Sequence, residues 1–309
     1  MSKRVVIKSF AKINLYLDVI CKRRDGYHNI ETIFQTVNLA DIIEMELTSS
    51  AVEITCDSPL VPTDKNNLVF KAFLGLKRTV RYHGGVKIWL RKRIPPESGM
   101  GGGSSNAAAV IIGLNHLMRT KLSDDTMRKI ATPIGADVPF FISGGLAAAW
   151  RIGDKLKPLP LLPRSHIVIA IPRDVAVSTA VAYRMLTAPA CRRPAPGNLS
   201  QCSDGLKACV KALGAHEPLS RNSALLSLLH NSLEEPVFAG SPVVGKLKKS
   251  LLKAGARGAL MSGSGSAVFG LADSLSHARE IKKALDGFHD CASFVTSTTD
   301  SGSVMAESV

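Results

Sequence analysis

Aromatic side chains are scarce in this chain: two Trp, four Tyr and ten Phe supply 5% of 309 residues. So thin a supply argues against a stacking surface for single-stranded nucleic acid. Cysteine is sparse and scattered as well. Cys21, Cys56, Cys191, Cys202, Cys209 and Cys291 form no Cys-x-x-Cys pair and have no histidine at zinc spacing. They read as reduced, mostly structural thiols of a cytoplasmic protein. No apolar run reaches the roughly 18 residues that a membrane helix needs. The opening MSKRVVIKSFAKINL passes directly into a strand pattern and leaves no room for a signal peptide.

Acidic residues are also in deficit. Twenty-five Asp and Glu face 39 Lys and Arg, a net charge of +14. Such a surface can bind nucleic acid or draw a polyphosphate substrate into a cleft. The basic clusters Lys22–Arg24, Arg91–Arg93, Arg192–Arg193 and Lys246–Lys253 lie far apart along the chain, so they read first as solvated faces. Apolar residues still make up 45%, enough for a substantial core.

Val5 to Val19 alternates, with Ala11, Ile13, Leu15, Leu17 and Val19 on one side and Lys12, Asn14, Tyr16 and Asp18 on the other. This predicts a half-buried strand whose polar face carries Lys12 and Asn14 toward a cleft. After the Asp25-Gly26 turn signal, Ile30 to Leu47 resumes the strand pattern, and Val86 to Leu90 is a further strand. Helices are expected at Ala107–Leu117, capped by Ser104 or Ser105, and at Leu122–Ile134. Gly144–Ile152 is the next strand. Prolines in Pro158–Pro163 mark a linker. Beyond it, His166–Pro172 reads as a buried strand, Ala180–Leu186, Ser223–Leu233 and Val243–Ala254 as helices, and Ala259–Leu271 as strand, glycine loop, strand. Residues 297–309 read as a frayed tail.

The densest signal is PPESGMGGGSSNAAA (Pro95–Ala109), with four of the 25 glycines in five positions. Glycine costs conformational entropy, so such a cluster marks positive φ or close approach. Running into a helix start, it offers backbone N–H groups and the positive end of a helix dipole to a phosphate. It is no Walker A loop, because no Lys-Ser/Thr follows, and Gly240–Leu247 matches G-x-x-x-x-G-K only with Leu247 in place of the hydroxyl residue. Nor does it fit G-x-G-x-x-G, since Ser104 stands at the last glycine.

This stretch resembles the phosphate loop of the GHMP kinases. Phe10–Asp41, Ile134–Gly145 and Met261–Leu271 extend the resemblance to the branch acting on 4-diphosphocytidyl-2-C-methyl-D-erythritol. Glu97 and Ser98 depart from that pattern, standing where glycine and a small residue usually open the loop. Asn106 replaces the more frequent Asp.

The resemblance implies an α+β fold of two domains, residues 1–157 like the second domain of ribosomal protein S5 and residues 164–296 ferredoxin-like, with the site in the cleft between them. It implies ATP-dependent phosphorylation of the C2 hydroxyl of the cytidyl substrate, with Mg²⁺ accompanying ATP and its ligands unassigned. Asp137 would take the hydroxyl proton, and Lys12 would orient it and neutralise the moving phosphoryl. ATP would be held by Pro95, Pro96, Glu97, Ser98, Gly99, Met100, Gly101, Gly102, Gly103, Ser104 and Ser105. Asn14, Tyr27, His28, Thr179 and Tyr183 would meet the substrate, Tyr27 by stacking on the cytosine with Tyr183 as its second aromatic, and His28 by hydrogen bonding. The turn Ser262–Gly265 would face the site. Expected partners are ATP and a small molecule, with no nucleic acid and no membrane, in a monomer or weak dimer. Two rivals stay open at this point: a GHMP kinase for another alcohol, and an RNA-binding module on the ribosomal-type fold.

Overall fold

In the computed structural model, which describes residues 4–173, 175–192, 194–286 and 291–308, β1 (Arg4–Lys22) runs antiparallel to β2 (His28–Thr48) along almost its whole length. The two meet at the Asp25-Gly26 turn, where Gly26 takes φ +86° and Asp25 Oδ1 accepts the Tyr27 N–H. The register slips after Phe10, Asn14 and Val19, and slips of this kind bend a strand.

The alternation in β1 predicts one wet face, yet every residue from Ser9 to Leu17 is buried. The reason is cover from both sides. Ala11, Ile13 and Leu15 pack with Ile169 and Phe269 of the second half, while Lys12 and Asn14 line an internal cavity.

The same sheet takes in β3 (Val52–Cys56) and β4 (Gly85–Arg91), parallel to each other, with β4 on the far half of β2. Its near half instead holds β5 (Leu146–Arg151), which β6 (Lys155–Pro158) extends. Helices α1 (Leu68–Val80), α2 (Gly102–Leu117), α3 (Asp124–Ala131) and α4 (Val138–Ser143) close a core around Ile43, Phe73, Val110 and Phe140. Side chains of this size contribute about 1.5–3 kcal/mol each when fully buried. The Asn67 side chain caps α1 by accepting the Val69 N–H at 3.0 Å.

The second half opens with β7 (His166–Pro172), then α5 (Thr179–Met185), α6 (Asp204–Leu213) and α7 (Ser223–Leu226). It continues through β8 (His230–Asn231), α8 (Glu234–Gly240), α9 (Pro242–Lys253), β9 (Ala259–Met261), β10 (Val268–Ala272), α10 (Leu275–Leu285) and β11 (Cys291–Ser297). Four strands form an antiparallel sheet in the order β11-β7-β10-β9. Val244 and Leu251 of α9 and Ile281 of α10 cover it at Val168 and Val268.

Three expectations need correction. The helix foreseen over Ser223–Leu233 ends at Leu226, because His230 and Asn231 leave to pair in parallel with Tyr16 and Leu17 of β1. The tail is not frayed: Ser303–Ser308 forms β12 against Val5–Ser9, satisfying a sheet edge otherwise without partners. Gly302 makes that return possible, since a Cβ there would lie 2.0 Å from the Phe141 carbonyl oxygen. Finally, Cys21 and Cys191 are joined as a disulfide, while Cys56, Cys202, Cys209 and Cys291 are free. The fold brings together two residues 170 positions apart, a proximity that spacing alone does not reveal. Arg193 of the Arg192–Arg193 cluster lies outside the described residues.

Candidate active site

The glycine loop owes its composition to a neighbour from the other half. Gly99 takes φ +73°, and a Cβ there would fall 2.0 Å from the Ser262 carbonyl oxygen. The loop lies flat on the Ser262–Gly265 turn: Ser262 Oγ donates to the Gly99 carbonyl at 3.1 Å, and the Ala267 N–H to the Ser98 carbonyl at 3.1 Å. Asn231 Nδ2 holds the turn from behind, donating to the Met261 and Gly263 carbonyls at 2.8 Å each.

Helix α2 starts from Gly101 at φ +70°, with no side chain capping it. Neither Ser104 nor Ser105 acts as the cap. A serine cap needs the extended backbone that precedes a helix, and both serines already lie inside it. Ser105 is buried and shares a 2.8 Å hydrogen bond with Ser9, away from the cavity that Ser104 lines. The uncapped first amides and the dipole of α2 therefore remain available to an anion. Glu97 resolves its own electrostatic problem by facing solvent, with φ +54°. Ser98 is buried and donates to the Pro95 carbonyl at 2.7 Å, and Met100 is buried with its carbonyl accepting the Lys12 N–H at 3.0 Å.

Beneath the loop lies a charged support that the sequence reading missed. Asp41 is fully buried and ion-paired with Lys92. It also accepts the N–H groups of Arg93 and Ile94 at 2.7 and 2.8 Å. Asn106 Nδ2 donates to Asp41 at 2.9 Å and to Ser9 at 2.8 Å. Lys92 therefore leaves the solvated face assigned to its cluster, and Asn106 is a hub. The RKR run gave no sign of this, because the acidic partner sits 51 positions away.

Lys12 is 3% exposed. Its ammonium donates to Asn14 Oδ1 and to the Gly99 carbonyl, both at 2.7 Å, and stands 3.8 Å from Asp137 Oδ2. The Phe34 ring lies 5.6 Å away. Burial lowers the Lys12 pKa below 10.5, and the Asp137 charge works against that shift. Asp137 precedes α4, whose chain turns inward at Val138-Pro139, and its side chain stays 30% exposed toward the cavity.

That cavity, of about 770 Å³, runs from Lys12, Asp137 and Ser104 to a wall of Tyr27, His28, Thr179 and Tyr183. Tyr183 lays its ring on His28 at a centroid distance of 5.1 Å, while Tyr27 is 61% exposed at the rim. Burial, then the Lys22 charge, push the His28 pKa below 6.5, so its ring is neutral at pH 7. His28 Nε2 is buried without a hydrogen-bond partner among the described residues. Thr179 Oγ1 and Ser264 Oγ share a 2.9 Å hydrogen bond, so the wall is tied to the turn under the loop. Lys22 and Arg184 also line the cavity. Pairing of Lys22 with His28 in the hairpin was the available clue to the former.

Among the described residues no cluster of His, Cys, Asp and Glu could hold a metal ion, and no helix is long and apolar enough to cross a membrane. Residues 67–145 match the GHMP kinases N terminal domain and residues 207–290 the GHMP kinases C terminal domain. The 4-diphosphocytidyl-2-C-methyl-D-erythritol kinase of Gloeobacter violaceus is 38% identical over 99% of this chain and 98% of its own. That of Enterococcus faecalis is 38% identical over 92% and 95%. A solved 4-(cytidine 5'-diphospho)-2C-methyl-D-erythritol kinase superposes with TM-score 0.74 at 34% identity, covering 95% and 98%. A homoserine kinase from Cytophaga hutchinsonii, at TM-score 0.76 and 23% identity over 99% and 98%, shares the two-domain α+β fold. With the loop, the paired lysine and aspartate and the full-length likeness in place, the chain belongs to the 4-diphosphocytidyl-2-C-methyl-D-erythritol kinases of the GHMP kinase superfamily.

Proposed function

We propose that this chain phosphorylates the C2 hydroxyl of 4-diphosphocytidyl-2-C-methyl-D-erythritol with ATP, releasing ADP and the 2-phosphate, in the non-mevalonate route to isoprenoid precursors. One observation carries the assignment of roles: a single cavity joins the Lys12–Asp137 pair to the His28–Tyr183 wall. The uncapped amides of α2 hold the phosphates of the nucleotide, and the wall holds the cytidyl end of the acceptor. Tyr27 covers the base from the rim, and His28, neutral at pH 7, hydrogen-bonds it through Nε2.

Between these two ends the acceptor hydroxyl meets Asp137, which takes its proton as the oxygen attacks the terminal phosphorus of ATP. Lys12 keeps two of its protons on Asn14 and Gly99, so its charge is aimed before substrate arrives. That charge offsets the negative charge on the transferred phosphoryl group, and phosphoryl transfer depends mostly on such positioning and neutralisation. A single carboxylate and the Ser104 hydroxyl suit a cation carried in by the nucleotide better than a resident one. Ser104 would hold Mg²⁺ there, where it neutralises phosphate charge.

An ADP-release assay comparing the cytidyl substrate with mevalonate, homoserine and galactose tests this reading. Turnover confined to the cytidyl substrate is expected. Preference for any of the other three alcohols would refute it.

A further inference from the structure

Cys21 and Cys191 bracket the substrate wall, and nothing in the phosphoryl transfer uses them. Cys21 precedes Lys22, whose register partner is His28. Cys191 lies beyond α5, the helix that brings Thr179 and Tyr183 to the cavity. Their disulfide therefore ties the chain leaving α5 to the hairpin that carries Tyr27 and His28. Short backbone hydrogen bonds reinforce the seam, from the Lys22 N–H to the Pro189 carbonyl at 2.8 Å and from the Cys191 N–H to the Lys22 carbonyl at 3.0 Å. The other anchors of α5 are the Thr179–Ser264 hydrogen bond at 2.9 Å and packing beside Val237 of α8. Ala182 is its only buried residue, and its contact across the cavity is the ring of Tyr183 on His28.

The bond is also within reach. Cys191 is partly exposed, and Cys21 opens onto a groove of about 590 Å³ lined by Pro189, Ala190 and Arg192. The Arg192 charge favours a thiolate at this groove. Asn29 Nδ2 stands 3.5 Å from each sulfur and can donate to either one once it is freed.

We infer that Cys21–Cys191 is a thiol–disulfide exchange site that sets the affinity of the cytidyl pocket. A cellular dithiol is the co-reactant. Its thiolate attacks one sulfur, forming a mixed disulfide and expelling the other sulfur as a thiolate that takes up a proton. The second thiol of the reductant then displaces the remaining cysteine, which is protonated in turn. Two electrons and two protons pass to the protein, and the reductant leaves as its own disulfide. With the bond open, α5 must be ordered by the substrate itself, and ordering costs affinity. The nucleotide side carries no part of this seam.

This inference rests on the cytidyl reading of the pocket, and its test separates the two. Full-length enzyme is equilibrated in oxidised or dithiol-reduced buffer, alkylated to count thiols by mass spectrometry, and assayed for ADP release. Four alkylated cysteines are expected in the oxidised form, matching Cys56, Cys202, Cys209 and Cys291, and six in the reduced form. On reduction KM for the cytidyl substrate should rise about tenfold while KM for ATP stays within about twofold. Cys191→Ser should show the raised KM in both buffers, and Cys56→Ser should keep the full response. Cys21→Ser serves if Cys191→Ser fails to fold. Six alkylated thiols after oxidation, or a cytidyl KM indifferent to reduction in an active enzyme, overturns the switch and leaves the kinase reading standing. Absence of ADP release in both buffers overturns the kinase reading and, with it, the assigned effect on KM.

Discussion

The two ends of the cavity are built on different principles. At the end assigned to the phosphates a single short loop, Gly99–Ser105, meets Lys12 and Ser262 from distant parts of the chain, and the groups are held by hydrogen bonds between 2.7 and 3.1 Å. At the cytidyl end the groups come from a hairpin tip and a short helix that share a wall only because the chain folds back over 150 residues later. One end is bound up in hydrogen bonds before ligand arrives; the other has few such ties, chiefly the Thr179–Ser264 bond and the Tyr183 ring on His28. A nucleotide common to a whole superfamily suits the first arrangement, and a substrate particular to one branch suits the second.

The contrast can be broken most severely at Asp137. Asp137→Asn should cut turnover by about a thousandfold, the usual scale for a general base, while ATP titration shows near-normal affinity. Lost nucleotide binding would instead make Asp137 part of the phosphate end. Removing the support beneath the loop comes next. Lys92→Met leaves Asp41 buried and uncompensated, which should cost about 4 kcal/mol of stability in urea denaturation. At temperatures where the variant stays folded, KM for ATP should rise more than KM for the cytidyl substrate. A uniform loss would show that the two ends are not separable.

Tyr27→Ala addresses the rim alone. KM for the cytidyl substrate should rise about tenfold with kcat unchanged, as expected for the loss of one aromatic stacking partner; an unchanged KM would remove Tyr27 from the pocket. The smallest effect concerns protons. Because burial and Lys22 lower the His28 pKa, the charged ring is populated only below its ordinary value of 6.5. KM should thus be flat from mildly alkaline pH to that point and rise only as pH falls further. Lys22→Gln removes one of the two causes and should move the onset upward, readable as a shift of the His28 ring signals in an NMR titration.

How far the sequence carried these features depends on range. The strands were written in alternation, and β7 matches its expected bounds of His166–Pro172. The phosphate loop was legible because glycines at positive φ leave a compositional mark. Helix α1 was legible too, though left unassigned: Val69, Ala72, Phe73 and Leu76 follow helical spacing and are all buried. Other features were set by distant partners. Both faces of β1 are buried because a second sheet and a cavity cover it, and alternation reports only one face. Ser105 looked like a helix cap but is claimed by Ser9, 96 positions away. Asn106 stood out only as a replacement for Asp until Asp41 and Lys92 were brought beneath it. The Cys21–Cys191 bond and the β12 pairing share that origin.

The pairing of β12 with β1 has a bearing on how the molecule is made. Val5 pairs with Ser308, so every element from β2 to β11 must be synthesised before β1 gains its outer neighbour. Until then the nascent chain carries an open edge on β1. The strand that carries Lys12 is therefore completed late in synthesis, by a segment that takes no part in lining the cavity.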